Sequence, residues 1–220
     1  MSLVILQKKD LNSFVDRLLP SYRIGGPVQK NGAFAFETIE NSEELRLDYP
    51  TTILPPKKFL FPVEETLFEF EDARKGIMKE PKLDPPTVIF GVHACDLHAI
   101  QLLDHVFSTG HVDKNYVNRR RQTLIVSIEC LTPCDGAAFC KSMGTLSADE
   151  GYDLHLVDLG EAYAVDVMTE AGQELIAKAE VVPALDADIN RLNAVLSEKW
   201  PHFPYRLDFD VTDLPSLLNM

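Results

Sequence analysis

The run Thr87-Val88-Ile89-Phe90-Gly91-Val92-His93-Ala94-Cys95-Asp96-Leu97, and its counterpart Thr123-Leu124-Ile125-Val126-Ser127-Ile128-Glu129-Cys130, decide how this chain folds. Each begins as a short apolar segment rich in β-branched residues, the composition of a buried strand. Asp84-Pro85-Pro86 sets off the first. Between them, Asp96 to Phe107 places Leu97, Ile100, Leu103 and Val106 at helical spacing, which predicts an amphipathic helix. Strand 87–92, helix 96–107 and strand 123–129 form a βαβ unit, whose two strands run parallel and whose crossover is right-handed. The fold class expected is therefore α/β: a mixed sheet with a parallel βαβ core and peripheral β-hairpins.

All four cysteines of the chain fall in or just after this unit, as Cys95, Cys130, Cys134 and Cys140. Cys95 and Cys130 each follow the C-terminal end of a predicted parallel strand, where open α/β sheets collect ligands. Cys95 also falls at the first turn of its helix, where unpaired backbone N–H groups favour thiolate. Cys134 and Cys140 lie on the loop leaving the second strand. Four thiols from two segments can thus converge on one point, in outline a cluster or metal site.

The 220 residues suffice for a substantial core, and 45% hydrophobic with 25% charged residues is ordinary for a globular protein. With 34 acidic against 21 basic side chains the net charge is −13, which argues against nucleic acid or an anionic membrane as partner. The one basic run, Arg119-Arg120-Arg121, reads as a solvated strand entry. No apolar stretch approaches the ~20 residues of a membrane span. Leu3-Val4-Ile5-Leu6 runs directly into Lys8-Lys9-Asp10, unlike a signal peptide, so a cytoplasmic location is expected. In that reducing compartment the cysteines point to metal binding or catalysis rather than disulfides.

Elsewhere, Asp10 to Leu19 predicts a helix with Asp10 as N-cap. Tyr22–Val28 and Ala33–Ile39 flank Gln29-Lys30-Asn31-Gly32, a hairpin signal. Leu45 to Leu54 adds a strand or an extended segment. Leu54-Pro55-Pro56-Lys57-Lys58-Phe59-Leu60-Phe61-Pro62 is a proline-bounded connector, and Ala73 to Pro86 a loop or insertion. Tyr152–Leu159 and Ala162–Val167 form a second hairpin, followed by helices from Thr169, as N-cap, and over Asp186–Trp200. Residues 1–80 thus read as an N-terminal α+β segment with hairpin and connector, 81–200 as the cysteine-bearing α/β domain, and 201–220 as a tail.

Several of these stretches together resemble one family: the electron-transfer β subunit of soluble NAD(P)-linked nickel–iron hydrogenases (sulfhydrogenases) and the A subunit of anaerobic sulfite reductase. The resemblance is carried by Pro55-Pro56-Lys57-Lys58-Phe59-Leu60-Phe61-Pro62 with Glu65-Thr66-Leu67-Phe68, by Phe90 through Ala99, by Asp113 to Arg120, by Cys130 to Cys140, by Ser142-Met143-Gly144, and by Asp153 through Gly172. It implies an iron–sulfur protein relaying electrons in a complex with a catalytic subunit and a flavin or nicotinamide subunit. The family continues into a ferredoxin module with two Cys-x-x-Cys-x-x-Cys-x-x-x-Cys runs, absent here, so 201–220 resembles the linker ahead of it. Relatives place the third cysteine two before the last, where this chain has Ala138; the resemblance passes that ligand to Cys134.

The residues themselves leave three options open: a [4Fe–4S] cluster on Cys95, Cys130, Cys134 and Cys140, a Cys₄ zinc site, or a thiol pair with inert cysteines. A Cys-x₃-Cys-x₅-Cys spacing lacks the paired knuckles common for zinc. Aerobic preparation readily strips an exposed cluster. Asp96 is expected to cap its helix, and His93 and His98 to flank the site. No phosphate loop, dinucleotide fingerprint or Gly-x-Ser-x-Gly is present. Two functions follow: an electron-transfer subunit of an anaerobic oxidoreductase, or a non-redox assembly domain with structural zinc or no metal.

Overall fold

The computed structural model describes residues 2–72, 74, 76–79, 85–204 and 211–218. In chain order its elements begin with β1 (Ser2–Gln7), α1 (Leu11–Leu18), β2 (Arg23–Lys30), β3 (Ala33–Ile39), β4 (Glu69–Asp72) and β5 (Ile77–Lys79). Next come β6 (Thr87–Val92), α2 (Ala94–Ser108), α3 (Lys114–Arg121) and β7 (Thr123–Ile128). The chain then forms β8 (Leu154–Asp158), β9 (Ala162–Val167), α4 (Glu170–Ile176), β10 (Val181–Pro183), α5 (Asp186–His202) and α6 (Leu214–Leu218).

One eight-stranded mixed sheet, in the order β10-β1-β9-β8-β7-β6-β2-β3, forms the centre. Strands β2, β6, β7 and β8 are parallel neighbours. The two hairpins, β2–β3 and β8–β9, are antiparallel and flank that parallel core on either side. They extend the same sheet, which is why both carry apolar residues on two faces. β6 is buried along its whole length, as a strand covered on both sides must be. α1 and α4 cover one face, through Phe14, Val15, Leu18, Leu175 and Ile176 against Val88, Phe90, Val126 and Leu154. α2 and α3 cover the other, through Leu97, Ile100 and Tyr116 against Ile89, Val92 and Ile125. Further along that face, Leu192, Val195 and Leu196 of α5 pack on Ile5, Val157 and Ala164.

Those contacts show a break in alternation. Val88 and Phe90 face α1, Ile89 faces α2, and Val92 faces α2 as well. An ideal strand would put residue 92 with 88 and 90. The parity flips at Gly91, where the β6–β7 register shifts and φ is +77°. A Cβ there would stand 3.0 Å from Leu47 Cδ2 and 3.1 Å from Pro27 Cδ. Gly91 is therefore a bulge, two residues before the histidine that opens α2.

Several local expectations need correction. Leu45–Leu54 contains no strand; it is the extended alternative, with Ile53 N–H donating to Phe34 O and Phe36 N–H to Leu54 O along the edge of β3. Arg119-Arg120-Arg121 is no solvated strand entry but the last turn of α3. Arg119 donates to the Leu60 carbonyl at 2.7 Å and pairs with Glu65, and Arg120 Nε stands 3.0 Å from Asp104. The segment taken as a tail begins inside α5, which continues to His202, and Phe203 beyond it is buried. Within the insertion read over 73–86, β5 pairs with β4 just before it; residues 1, 73, 75, 80–84, 205–210, 219 and 220 lie outside the described residues.

Candidate metal centre

β6 and β7 are adjacent and parallel, so their C-terminal ends open on the same edge of the sheet. Cys95 is the second residue of α2, and Cys130 lies two residues beyond the end of β7. Cys134 and Cys140 follow on the loop, which turns sharply at Gly144 (φ +68°). All four line one cavity of about 320 Å³. Its other walls include Leu47–Pro50, His93, Glu129, Leu146, Asp158 and Phe203. The cysteines share the cavity without standing in a coordinating arrangement: among the described residues no three His, Cys, Asp or Glu side chains are grouped to hold a metal ion.

Tyr49 braces the bulge side of the cavity. Its hydroxyl donates to the Gly91 carbonyl at 2.6 Å, and its ring stacks on the His93 imidazole at 4.2 Å with the planes 2° apart. Burial holds His93 down at about 4, so the ring is neutral at neutral pH. His98 turns away and meets the Ser147 carbonyl at 2.9 Å. His93, not Asp96, occupies the N-cap of α2. Asp96 sits within the first turn, where burial pushes its carboxyl up to about 6 against the opposing pull of Lys57.

The helix terminus does not make Cys95 a thiolate. Although Cys95 is exposed, partial desolvation on its cavity side, the Asp96 carboxylate and the neighbouring Cys140 and Cys134 push its thiol up to about 12. Cys130 is also raised, by burial and then by Cys95, with Lys199 pulling the other way. Cys134 is raised by burial, by Asp135 and by Cys140. The thiols thus repel each other's ionised forms across the cavity. A multiply charged soft cation reverses that balance, since coordination deprotonates a thiol outright. Four sulfur donors, one shared cavity and no Lys or Arg in its lining form a donor set that fits an iron–sulfur cluster or zinc.

Beneath Cys130 lies a buried polar chain that sequence reasoning missed. Glu129 Oε1 accepts from Lys199 Nζ at 2.5 Å, and Glu129 Oε2 stands 3.2 Å from His155 Nε2. Ser127 Oγ lies 2.7 Å from His155 Nδ1. Burial would raise the Glu129 carboxyl, but the His155 and Lys199 bonds together hold it below its ordinary value. The only sequence signal was the position of Glu129 next to Cys130; Lys199 joins from α5, far along the chain.

The chain is 38% identical over 176 residues to sulfhydrogenase 2 subunit β of Pyrococcus furiosus, a match covering 80% of this chain. Over that stretch the chain is similar to a hydrogenase β subunit. It spans about half, 51%, of that sulfhydrogenase β subunit's length. No family model matches the chain, and no solved structure matches it. No helix among the described residues is long and apolar enough to cross a membrane.

Proposed function

We propose that this hydrogenase β-subunit relative is an electron-transfer component of a multisubunit oxidoreductase, with one [4Fe–4S] cluster held by Cys95, Cys130, Cys134 and Cys140. The observation that carries the reading is that four thiols from two separate segments, the chain's full complement, line one cavity at the ends of two neighbouring parallel strands. Such a cluster supplies one-electron transfer when bound. The chain's own residues wall part of the cavity, while Cys95 and Cys134 remain exposed. Tyr49 and His93 wall the cavity beside Cys95, Phe203 and Leu146 close it from the α5 side, and Glu129 anchors the exit of β7. The partners proposed are a catalytic subunit and a flavin or nicotinamide subunit, in the cytoplasm; that the Pyrococcus relative is named as a subunit supports the existence of partner subunits.

Anaerobic loading with iron and sulfide tests the reading. The expected product is coloured, contains iron and sulfide in equal amounts, and loses both in Cys130→Ser and Cys95→Ser. A colourless protein without bound iron overturns the cluster. Stoichiometric zinc in protein prepared without oxygen replaces it with the assembly-domain reading.

A further inference from the structure

Lys199 is 2% exposed and sits on the inner face of α5. Its ammonium donates to Glu129 and, at 2.9 Å, to the Leu146 carbonyl. Those two partners bracket the loop that bears Cys130, Cys134 and Cys140. Two further contacts from the same end of α5 reach that loop: Lys141 Nζ donates to the Trp200 carbonyl at 3.2 Å, and Phe203 lines the cysteine cavity. An ion pair this deep is a poor source of stability, because two charges must be desolvated to form it. Its value is positional and electrostatic. Among the described residues, the cavity lining has the carboxylates Asp48, Glu129 and Asp158 and no Lys or Arg; the cations stand behind it, Lys8 on Asp158 at 2.7 Å and Lys199, the buried one, on Glu129 beside Cys130.

We propose that Lys199 is a positioning residue for the cysteine centre: it ties both ends of the Cys130–Cys140 loop to α5 and offsets the negative charge that four thiolates bring to the cavity. The electrostatic half rests on the electron-carrier reading above; the positional half does not. Lys199 supplies three N–H directions, of which Glu129 and Leu146 take two, and an apolar replacement satisfies neither. Arginine keeps the charge and the donors. Removing the cation leaves the Glu129 carboxylate less compensated next to Cys130, which disfavours an added electron and lowers the reduction potential.

The test uses the full chain with Lys199→Met and Lys199→Arg. Hydrogen–deuterium exchange of metal-free protein is followed over residues 129–147, with β6 as internal reference. A redox titration follows iron–sulfide loading. Expected for Lys199→Met are exchange at least tenfold faster over 129–147, an unchanged β6, and a potential lower than wild type; Lys199→Arg restores both towards wild type. Unchanged exchange in Lys199→Met overturns the positional role, and faster exchange with a wild-type potential overturns the electrostatic one. If Lys199→Met does not fold, Glu129→Gln/Lys199→Met leaves no unpaired buried charge, and wild-type exchange in that double variant overturns the proposal. Wild-type protein that takes up no iron defeats the electron-carrier reading and the electrostatic half with it, while the exchange arm still decides the positional half.

Discussion

A methyl group placed on Gly91 perturbs the backbone that aims α2 at the cysteine cavity, and its cost is worked from two sources. The residue lies at φ +77°, a left-handed conformation that costs an L-residue roughly 1–2 kcal/mol. The added carbon would also stand 3.0 Å from Leu47 Cδ2 and 3.1 Å from Pro27 Cδ. The Pro27 ring cannot rotate away, so about 1 kcal/mol of overpacking adds, the low end of the usual range. Alanine also narrows the unfolded ensemble and returns about 0.4–1 kcal/mol. The net expectation for Gly91→Ala is a loss of about 1–2.6 kcal/mol, a fall in Tm of roughly 2–10 °C for a chain of this size. Urea denaturation followed by the fluorescence of the single tryptophan, Trp200, and by circular dichroism measures it. Gly136→Ala is the control, since φ there is not positive and nothing lies within 4 Å of the added carbon. A Gly91→Ala protein within about 0.5 kcal/mol of wild type, beyond the usual scatter of surface changes, refutes the bulge argument.

Thr169→Ala removes the N-cap of α4, whose hydroxyl oxygen accepts from Gly172 N–H at 2.9 Å while its proton goes to Asp153 at 2.6 Å. The expected loss is about 1 kcal/mol in chemical denaturation, largely recovered in Thr169→Ser. Glu37 is held below the ordinary carboxylate value of 4.5 by its bond to Lys58, with burial opposing and Lys30 assisting. A lowered carboxyl stabilises the fold above the unfolded value and loses that contribution as pH falls through the folded one. Glu37→Gln should therefore cost about 0.2–1 kcal/mol at pH 7, and nothing once pH is well below 4.5; a gap that persists in acid contradicts the assignment. Arg119→Met breaks the ties to the Leu60 carbonyl and Glu65, so proteolytic cutting within 61–68 should rise while the sheet stays intact by circular dichroism.

The βαβ unit was legible because β6 and β7 are buried on both faces, and such strands must be written as apolar runs. The hairpins were legible for the opposite reason, since turn residues such as Asn31-Gly32 have few other uses. What escaped depends on distant partners. β1 is only a short apolar run, and it becomes a strand by pairing with β9 and β10, over 150 residues away. Arg119 and Arg120 read as solvated because a charge run carries no mark of its acceptors, Glu65 and Asp104. Lys199 was hidden for the same reason, on a helix whose Ile189, Leu192, Val195 and Leu196 announce burial while a lysine announces solvent. Gly91 did leave a signal, an isolated glycine within an apolar strand, which is the mark of a bulge. That the four cysteines meet at one cavity was legible from strand order; the polarity of its walls was not.

That polarity bears on which chemistry the cysteines serve. A thiol that acts as a nucleophile or exchanges disulfides needs a depressed pKa, usually supplied by a helix N-terminus or a neighbouring cation. Cys95 has the helix N-terminus and is exposed, yet desolvation on its cavity side, Asp96 and the other cysteines push its thiol up rather than down. Partial charges at a helix end amount to about half an elementary charge and act within one turn. They cannot ionise one thiol of four that oppose one another across an acidic cavity. A thiol-exchange reading therefore asks the wall for a charge it does not have. On the cluster reading, a bound cationic centre would bring that charge with it, and the crowding that opposes ionisation of the separate thiols would favour their binding it together.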